Sequence, residues 1–265
     1  PHYFSFKMSY LIKYLVKLPI LKRLIPSLVK RYIFLFNSYY KEILVNNILF
    51  DLDLRHLIDR RFYFNRSYED ELFIPLSKII KEHKVDFFFD VGSCWGIYSL
   101  RLSGIYKKLH ILSFDPIKKN IDRLESSIAK NSIYNIKTFH TAVGNKVGFV
   151  ELGATEKYSP NYEINESNAV IKEKSKINYL DNLFEFKNKY LVFKIDTEGF
   201  EYEVIKGAKK LLKNNNCFLQ IEIKDKNYEN IVNLLNLLNF SQVSINKTNK
   251  TDFFYSNFDV NKIKI

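Results

Sequence analysis

The chain of 265 residues is 46% hydrophobic and 16% aromatic, so it can bury one large core, and general disorder is excluded. Eight glycines and six prolines exclude a fibrous or low-complexity protein. The formal net charge of +12 by itself suggests an anionic partner, either nucleic acid, a membrane surface or an acidic glycan.

The positive charge is concentrated at the beginning of the chain. The first 41 residues contain eight Lys and Arg and no acid, whereas the rest is nearly balanced, with 33 basic and 29 acidic side chains. We therefore expect no nucleic-acid partner for the main domain, because a groove that follows a phosphate backbone needs a basic stripe. The two cysteines, Cys94 and Cys217, cannot form a disulfide framework, which indicates a reducing, cytoplasmic setting.

Residues 9–36 are rich in Leu, Ile, Val and aromatic residues, carry a Lys or Arg every few positions and are broken by Pro19 and Pro26. The recurring charges argue against a membrane-spanning helix and against a signal peptide. Three hypotheses remain for residues 1–36: a helical cap on the main domain, peripheral contact with an anionic membrane surface, or nucleic-acid binding. We expect a basic amphipathic helical extension over residues 1–45.

Residues 46–84 are predicted as a lead-in, with a small β unit at 48–54 and 62–64 before a helix near 68–82. From residue 85 to 265, short apolar runs alternate with helical patterns, which predicts a parallel sheet built from βαβ units. The predicted strands are 85–91, 110–114, 136–142, 190–195 and 217–223, with helices near 96–105, 117–131, 200–214 and 226–238. A final hairpin, 240–246 with 252–256, adds one antiparallel strand.

The first of these strands ends in a glycine loop, Asp90-Val91-Gly92-Ser93-Cys94-Trp95-Gly96. Glycines let the backbone turn tightly and approach a ligand. A dinucleotide-binding loop would have a third glycine where Cys94 stands, and the charge of Asp90 would oppose a pyrophosphate. The same charge suits a ligand that carries an ammonium and a sulfonium group, such as S-adenosylmethionine (SAM).

The second strand ends in Asp115-Pro116, about 20 residues after the loop, where a carboxylate can accept hydrogen bonds from a ribose diol. The alternatives are a simple strand–helix crossing for the glycines and a helix N-cap for Asp115. In this order and spacing, the loop and the acid together favour cofactor binding.

A third motif, Lys194-Ile195-Asp196-Thr197-Glu198-Gly199-Phe200-Glu201, follows the fourth predicted strand. Ligands of such sheets bind beyond the carboxyl ends of the strands, so Asp196 and Glu198 should lie at the cleft. They could take a proton from an attacking hydroxyl or hold a divalent cation, for which no third ligand is identifiable, and N-capping is the alternative. We interpret Glu201 as a solvated acid in the first turn of a helix.

With these motifs, the sequence resembles the FkbM family of SAM-dependent methyltransferases over residues from about 46 to 257. The matching segments are Asp90–Gly96, Phe114–Pro116, Thr141–Gly144, Leu180–Leu183, Lys194–Glu201 and Lys206–Ala208, with Tyr63-Phe64 and Tyr68-Glu69 upstream. This chain departs from the family where Ser93-Cys94-Trp95 replaces a small loop that contains Asn, and where Asp115 stands in place of the commoner Glu.

The resemblance implies a Rossmann-like α/β fold of the class I methyltransferases for residues 85–265. Its sheet would be mostly parallel and seven-stranded, in the order 3-2-1-4-5-7-6 with the last strand antiparallel. The implied activity is O-methylation of a hydroxyl on a sugar, a glycan or a related metabolite. The alternatives are a nucleic-acid methyltransferase and a non-catalytic SAM-binding or membrane-associated module.

The resemblance also implies roles for single residues. SAM, the expected cofactor, would be held by Asp90, Gly92, Ser93, Gly96, Asp115, Pro116, Thr141, Ala142 and Glu69. Asp196 is the expected base or substrate-orienting acid, and His140 is its rival. The acceptor would meet Glu198, Glu222 and the aromatic residues Tyr158 and Tyr162 of a polar loop. Whether a divalent metal takes part is left open.

Overall fold

The computed structural model describes residues 31, 39–154, 162–164, 167–224, 227–245 and 250–260. The chain divides into two compact units, with the boundary between Tyr68 and Glu69. The predicted helices and membrane contact of residues 1–36 lie outside the described residues except for Arg31, and so does Tyr158. In the described part of the chain, no helix is long and apolar enough to cross a membrane.

The first unit contains an antiparallel hairpin, β1 (Tyr40–Val45) with β2 (Ile48–Asp53), and then helix α1 (Leu57–Asn65). Asn46 and Asn47 form the turn, and both have left-handed backbone angles (φ 50° and 62°), as tight hairpin turns require. The domain boundary expected after residue 45 therefore falls inside a hairpin, and residues 40–45 form a strand where a helix was predicted.

Helix α1 corrects a second expectation, because Phe62–Phe64 was predicted as part of a β unit and lies in this helix. The side chain of Phe62 is fully buried and its ring packs edge-on against Phe50, with centroids 4.9 Å apart. Aromatic side chains favour strands only weakly when one helical face can bury them instead.

The second unit is built on a seven-stranded sheet. Its strands are β3 (Phe87–Val91), β4 (His110–Asp115), β5 (Ile136–His140), β10 (Tyr190–Ile195), β11 (Asn216–Glu222), β12 (Ser241–Val243) and β13 (Asp252–Ser256). They lie in the order β12-β13-β11-β10-β3-β4-β5, and all neighbours are parallel except the two pairs that involve β13. The predicted order 3-2-1-4-5-7-6 and its antiparallel last strand are confirmed.

A second sheet that was not predicted lies between β5 and β10 in the sequence. Its strands are β6 (Ala142–Val143), β7 (Gly148–Ala154), β8 (Glu163–Ile164) and β9 (Ile171–Asn178), in the order β6-β9-β7-β8. The apolar stretch predicted as one strand over 136–142 is divided, since β5 ends at His140 and β6 joins the other sheet. Buried Val150, Leu152 and Ile177 form the small core of this sheet.

The remaining helices are α2 (Asp70–Glu82), α3 (Ile97–Ile105), α4 (Lys118–Lys130), α5 (Leu180–Leu183), α6 (Glu201–Lys206), α7 (Lys209–Lys213) and α8 (Tyr228–Leu237). The helix predicted over 200–214 is thus two short helices with a turn at Gly207-Ala208. A Cβ on Gly207 would lie 1.9 Å from the backbone oxygen of Gly144, so only glycine permits this close crossing.

The central strands are buried on both faces, as parallel strands covered by helices must be. In β10, Leu191, Val192 and Phe193 are all fully buried, and the Phe193 ring stacks on Phe89 of β3 with centroids 4.4 Å apart. The uninterrupted apolar stretches that predicted these strands reflect this burial on both sides.

We expect Phe193→Ala to lower the free energy of unfolding by about 3–5 kcal/mol, because it leaves a cavity at the centre of the sheet. Phe149→Ala removes the same atoms from a side chain that is 61% exposed and should change stability by less than about 0.5 kcal/mol. Urea denaturation of both variants measures the difference, and equal losses would contradict this assignment of the core.

Candidate active site

The carboxyl ends of three neighbouring strands bring the predicted motifs together. Ile195 of β10 is in register with Val91 of β3 and with Ile221 of β11. The residues that follow these three therefore lie level at one edge of the sheet: Gly92, Asp196 and Glu222. This edge is where ligands of open α/β sheets bind.

The glycine loop lies directly against the end of β10. A Cβ on Gly92, which has φ +79°, would stand 1.8 Å from the backbone oxygen of Asp196. A Cβ on Gly96, with φ +83°, would stand 2.5 Å from Leu124 of α4. Cys94 also has a left-handed backbone (φ 50°), so the loop keeps a glycine-like conformation where a dinucleotide-binding loop would have its third glycine.

Asp115 is held between the glycine loop and the start of α4. The backbone N–H of Cys94 donates to its Oδ2 (2.8 Å), while the N–H of Ile117 and the side-chain amide of Asn120 donate to Oδ1 (2.9 and 3.0 Å). Burial raises the pKa of Asp115 to about 7 although these donors favour the charged form. The bond to Ile117 forms an Asx turn, and Oδ2 keeps a second lone pair toward the loop.

Asp90 lies beneath the loop and is only 1% exposed. Its Oδ2 accepts a hydrogen bond from Ser99 (2.6 Å), and its pKa is raised by burial, against the opposing effect of the Lys194 ammonium. Asp90, which is expected to contact the cofactor, is thus buried here, and its Oδ1 has no hydrogen-bond partner among the described residues. Ser93, beside Gly92, has a buried hydroxyl that finds no hydrogen-bond partner within the described residues.

Three carboxylates cluster beyond β10 and β11. Single oxygens of Asp196, Glu198 and Glu222 all lie within 4.8 Å of one another, so the fold supplies the third acid that the sequence did not identify. The Lys194 ammonium lies 2.8 Å from Asp196, and the Lys224 ammonium lies 2.8 Å from Glu198. These two lysines supply positive charge of the kind that a divalent ion would bring to such a cluster.

The members of this cluster differ in pKa. Burial alone would raise the pKa of Asp196, but the charge and hydrogen bond of Lys194 outweigh burial and lower it. Burial raises the pKa of Glu222 to about 8, and the negative charges of Asp196 and Glu198 act in the same direction.

Glu201 is 1% exposed, which corrects its interpretation as a solvated acid. Its Oε1 accepts three hydrogen bonds, from the N–H and the hydroxyl of Thr197 (2.9 Å each) and from the N–H of Gly199 (3.0 Å). The carboxylate thus ties down the loop between β10 and α6, where Glu198 has a left-handed backbone (φ 57°).

His140 does not lie with the carboxylates. It is the last residue of β5, where its backbone is in register with Asp115 of β4. Strand β5 is three strands away from β10, a distance of about 14 Å across the sheet. Its Nε2 donates to the backbone oxygen of Pro116 (3.0 Å), the residue that follows Asp115. The structure therefore does not support His140 as the rival base to Asp196.

The other predicted residues occupy the two sides of the glycine loop. The N–H of Thr141 donates to the backbone oxygen of Asp115 (3.1 Å), and Ala142 is buried in the small core of the second sheet. Tyr162 was expected at the acceptor, but it packs against that same core. Burial raises the pKa of its hydroxyl, and the negative charges of Glu173 and Asp115 act in the same direction. Glu69 accepts a hydrogen bond from the hydroxyl of Tyr98 (3.1 Å).

Lys194 and Lys224 were not predicted as site residues. Lys194 had a signal in the sequence, because it is a cation inside an otherwise apolar strand and stands two residues before Asp196. In a parallel strand that is buried on both faces, such a lysine requires a buried partner. Lys224 had no signal, since only the strand order brings β11 next to the loop that carries Glu198.

The strand order 3-2-1-4-5-7-6, the glycine loop after the first strand and the buried acid after the second define a class I methyltransferase. The match to the family model described as the Methyltransferase FkbM domain covers residues 90–243, which is more than half of the chain. The chain belongs to this family, and its chemistry is methyl transfer. A search of curated proteins finds no match.

Solved structures that resemble the chain are distant relatives in sequence. An rRNA methylase from Streptococcus thermophilus is 10% identical, with 69% of this chain and 92% of that chain covered and a TM-score of 0.42. The precorrin-6y C5,15-methyltransferase from Geobacter metallireducens is 10% identical, with 72% and 88% covered and a TM-score of 0.42. The TYW2 protein of M. jannaschii in complex with AdoMet is 9% identical, with 82% and 84% covered and a TM-score of 0.43.

SAM is the methyl donor of this enzyme class, and the residues at the glycine loop fit it. Gly92 and Gly96 let the loop turn tightly against the backbone of Asp196 and the side chain of Leu124, and within the described residues the Ser93 hydroxyl is left without a hydrogen-bond partner. Oδ2 of Asp115 can accept a further hydrogen bond from a ribose hydroxyl. When bound, SAM supplies an electrophilic methyl group.

We expect Lys194→Met to lower the free energy of unfolding by about 2 kcal/mol, because it leaves Asp196 and Asp90 without their counter-ion. The loss should be smaller than for a fully buried pair because the Asp196 side chain is 35% exposed. Lys189→Met is the matched control, since Lys189 makes a half-exposed ion pair with Asp86 (3.2 Å) that should contribute less than about 1 kcal/mol. Urea denaturation measures both losses. Equal losses for the two variants would contradict the conclusion that Lys194 is the counter-ion of Asp196 and Asp90.

Proposed function

We propose that this protein is an O-methyltransferase that transfers the methyl group of SAM to a hydroxyl of a sugar, a glycan or a related metabolite. The observation that carries the proposal is the carboxylate cluster, Asp196, Glu198 and Glu222, next to the glycine loop. Carboxylates are strong acceptors for hydroxyl donors, and a polyol presents several hydroxyls at once.

The cofactor would lie across the carboxyl ends of β3 and β4. In this arrangement, Gly92, Ser93 and Gly96 surround its methionine end and Asp115 accepts from its ribose. Thr141 and Ala142 would border the adenine. Tyr162 packs against the same small core as Ala142, and the charge of Asp115 helps to raise its pKa. We therefore assign Tyr162 to the cofactor side and not to the acceptor.

The acceptor would then lie over the ends of β10 and β11, on the other side of the glycine loop. Methyl transfer is an in-line displacement, and its rate depends on holding the acceptor oxygen collinear with the methyl carbon and the sulfur. The Glu201 hydrogen bonds fix the loop that carries Glu198, and Lys194 fixes Asp196. The remaining chemical task is removal of the hydroxyl proton by a carboxylate.

A nucleic-acid acceptor fits this edge of the sheet less well. The two ammonium groups at this edge are each paired with a carboxylate, so the cluster offers no net positive charge to a phosphate backbone. The segment after β10 also has no aromatic clamp for a flipped base, since it continues as Asp196-Thr197-Glu198-Gly199.

We expect Gly92→Ala to weaken SAM binding by more than about tenfold, because the added methyl group collides with the backbone of Asp196 and must displace the loop. Gly148→Ala is the control for backbone strain alone, since Gly148 also has a positive φ (+152°) but a Cβ there meets nothing within 4 Å. Calorimetric titration with SAM measures both affinities. Wild-type affinity in Gly92→Ala would place the cofactor elsewhere.

The proposed reaction is tested by incubating the full chain with tritium-labelled SAM and a panel of neutral and acidic oligosaccharides, glycolipids and RNA. We expect label in a saccharide, and we expect Asp196→Asn to reduce kcat about 100-fold without changing SAM affinity. Glu229→Gln removes an exposed acid from α8 and should retain wild-type turnover. Transfer to RNA alone would overturn the proposal.

A further inference from the structure

The two lysines at the carboxylate cluster distinguish its three acids. Asp196 has the Lys194 ammonium at 2.8 Å, and Glu198 has the Lys224 ammonium at 2.8 Å. Within the described residues, Glu222 makes no ion pair with a Lys or Arg. Two acids of the cluster are thus held in the ionised form by a fixed counter-ion, and the third is not.

Carboxylate oxygens of Glu222 and Asp196 lie within 4.8 Å of each other, and two like charges this close favour a state in which one of the two carboxyl groups holds a proton. The Lys194 ammonium, 2.8 Å from Asp196, stabilises that acid as the carboxylate, so Glu222 is the member of the pair that holds the proton. The charged groups around the pair are consistent with this arrangement. Asp196, Glu198 and Asp252 place negative charge near Glu222. The two ammonium groups, in contrast, pair with Asp196 and Glu198.

Asp196 is poorly suited to accept a proton itself. The Lys194 side chain is only 8% exposed, and protonation of Asp196 would remove the direct counter-ion of this buried ammonium. The same ammonium lowers the pKa of Asp196, which makes it a weak base. Glu222 is half-buried at the end of β11, so it can exchange its proton with solvent between turnovers.

We propose that Glu222 is the general base of the methyl transfer and that Asp196 remains ionised and orients the acceptor hydroxyl. This inference rests on the proposed function. The acceptor oxygen forms the new bond to the methyl carbon while the carbon–sulfur bond breaks and its electron pair stays on sulfur. The hydroxyl proton passes to the Glu222 carboxylate, so the positive charge of the sulfonium and the negative charge of Glu222 disappear together.

The first test is the pH dependence of kcat with whichever saccharide accepts label in the transfer panel. A base must be deprotonated to act, so kcat should rise with pH and reach half of its plateau near pH 8, where Glu222 loses its proton. Glu222→Gln should lose about 100-fold or more in kcat together with this rise, whereas Glu222→Asp should retain the rise at reduced kcat.

Asp196→Asn separates the two roles. It should raise KM, lower kcat and move the rise to lower pH, because the charge that raises the pKa of Glu222 is gone. A Glu222→Gln variant that keeps the wild-type pH profile overturns the inference. The inference is also overturned if the rise of kcat with pH is lost in Asp196→Asn but kept in Glu222→Gln.

The second test needs no acceptor. Carbon-13 NMR of the full chain labelled at the Glu carboxyl carbons should show one signal that titrates near pH 8. This signal should be absent in Glu222→Gln and unchanged in Glu229→Gln. If every Glu signal titrates below pH 6, the inference is wrong even where transfer to saccharides occurs. If no hydroxyl accepts label but the signal is present, the proposed function fails and the acid pair stands.

Discussion

The buried ammonium of Lys194 is the charge around which the second unit is arranged. It lies in the central strand of the sheet and pairs with Asp196 at 2.8 Å. The negative charge of Asp90 also raises its pKa, and the ammonium lies 5.2 Å from the centre of the Tyr98 ring. A lysine that is 6% exposed is stable only with such partners. The two acids that satisfy this charge are Asp90, under the glycine loop, and Asp196, at the open edge of the sheet.

Two further contacts convert this charge arrangement into a defined geometry. Gly92 allows the glycine loop to touch the backbone of Asp196, so the two sides cannot move apart independently. Glu201 collects three hydrogen bonds from the loop after β10 and thereby fixes Glu198 in a left-handed conformation that a non-glycine residue rarely adopts. A site for in-line displacement depends on such rigidity, because small misplacements of the reacting atoms are costly.

The same elements show where prediction from sequence works. The glycine loop, Asp115 and the motif at Asp196 follow strands whose apolar residues are continuous, so both the strands and the positions of these residues could be predicted. The interpretation of Glu201 was wrong because its partners, Thr197 and Gly199, are its near neighbours in sequence, and pattern alone cannot show that the chain folds back on itself. The second sheet was missed although β9 alternates apolar and polar residues, because β6 and β8 are only two residues long and carry no periodicity.

The sequence by itself determined the residues at the carboxyl edge, because local periodicity and motif spacing carry that information. Its motifs also indicated the family, and the resemblance to that family implied the order of the main strands. Only the tertiary structure decided the relation among the acids. Glu222 comes from β11, Asp196 from β10 and Lys224 from the segment after β11, and parallel pairing brings them within a few ångströms. Their charges then set the pKa of each group, and such couplings depend on distance in space rather than on distance along the chain.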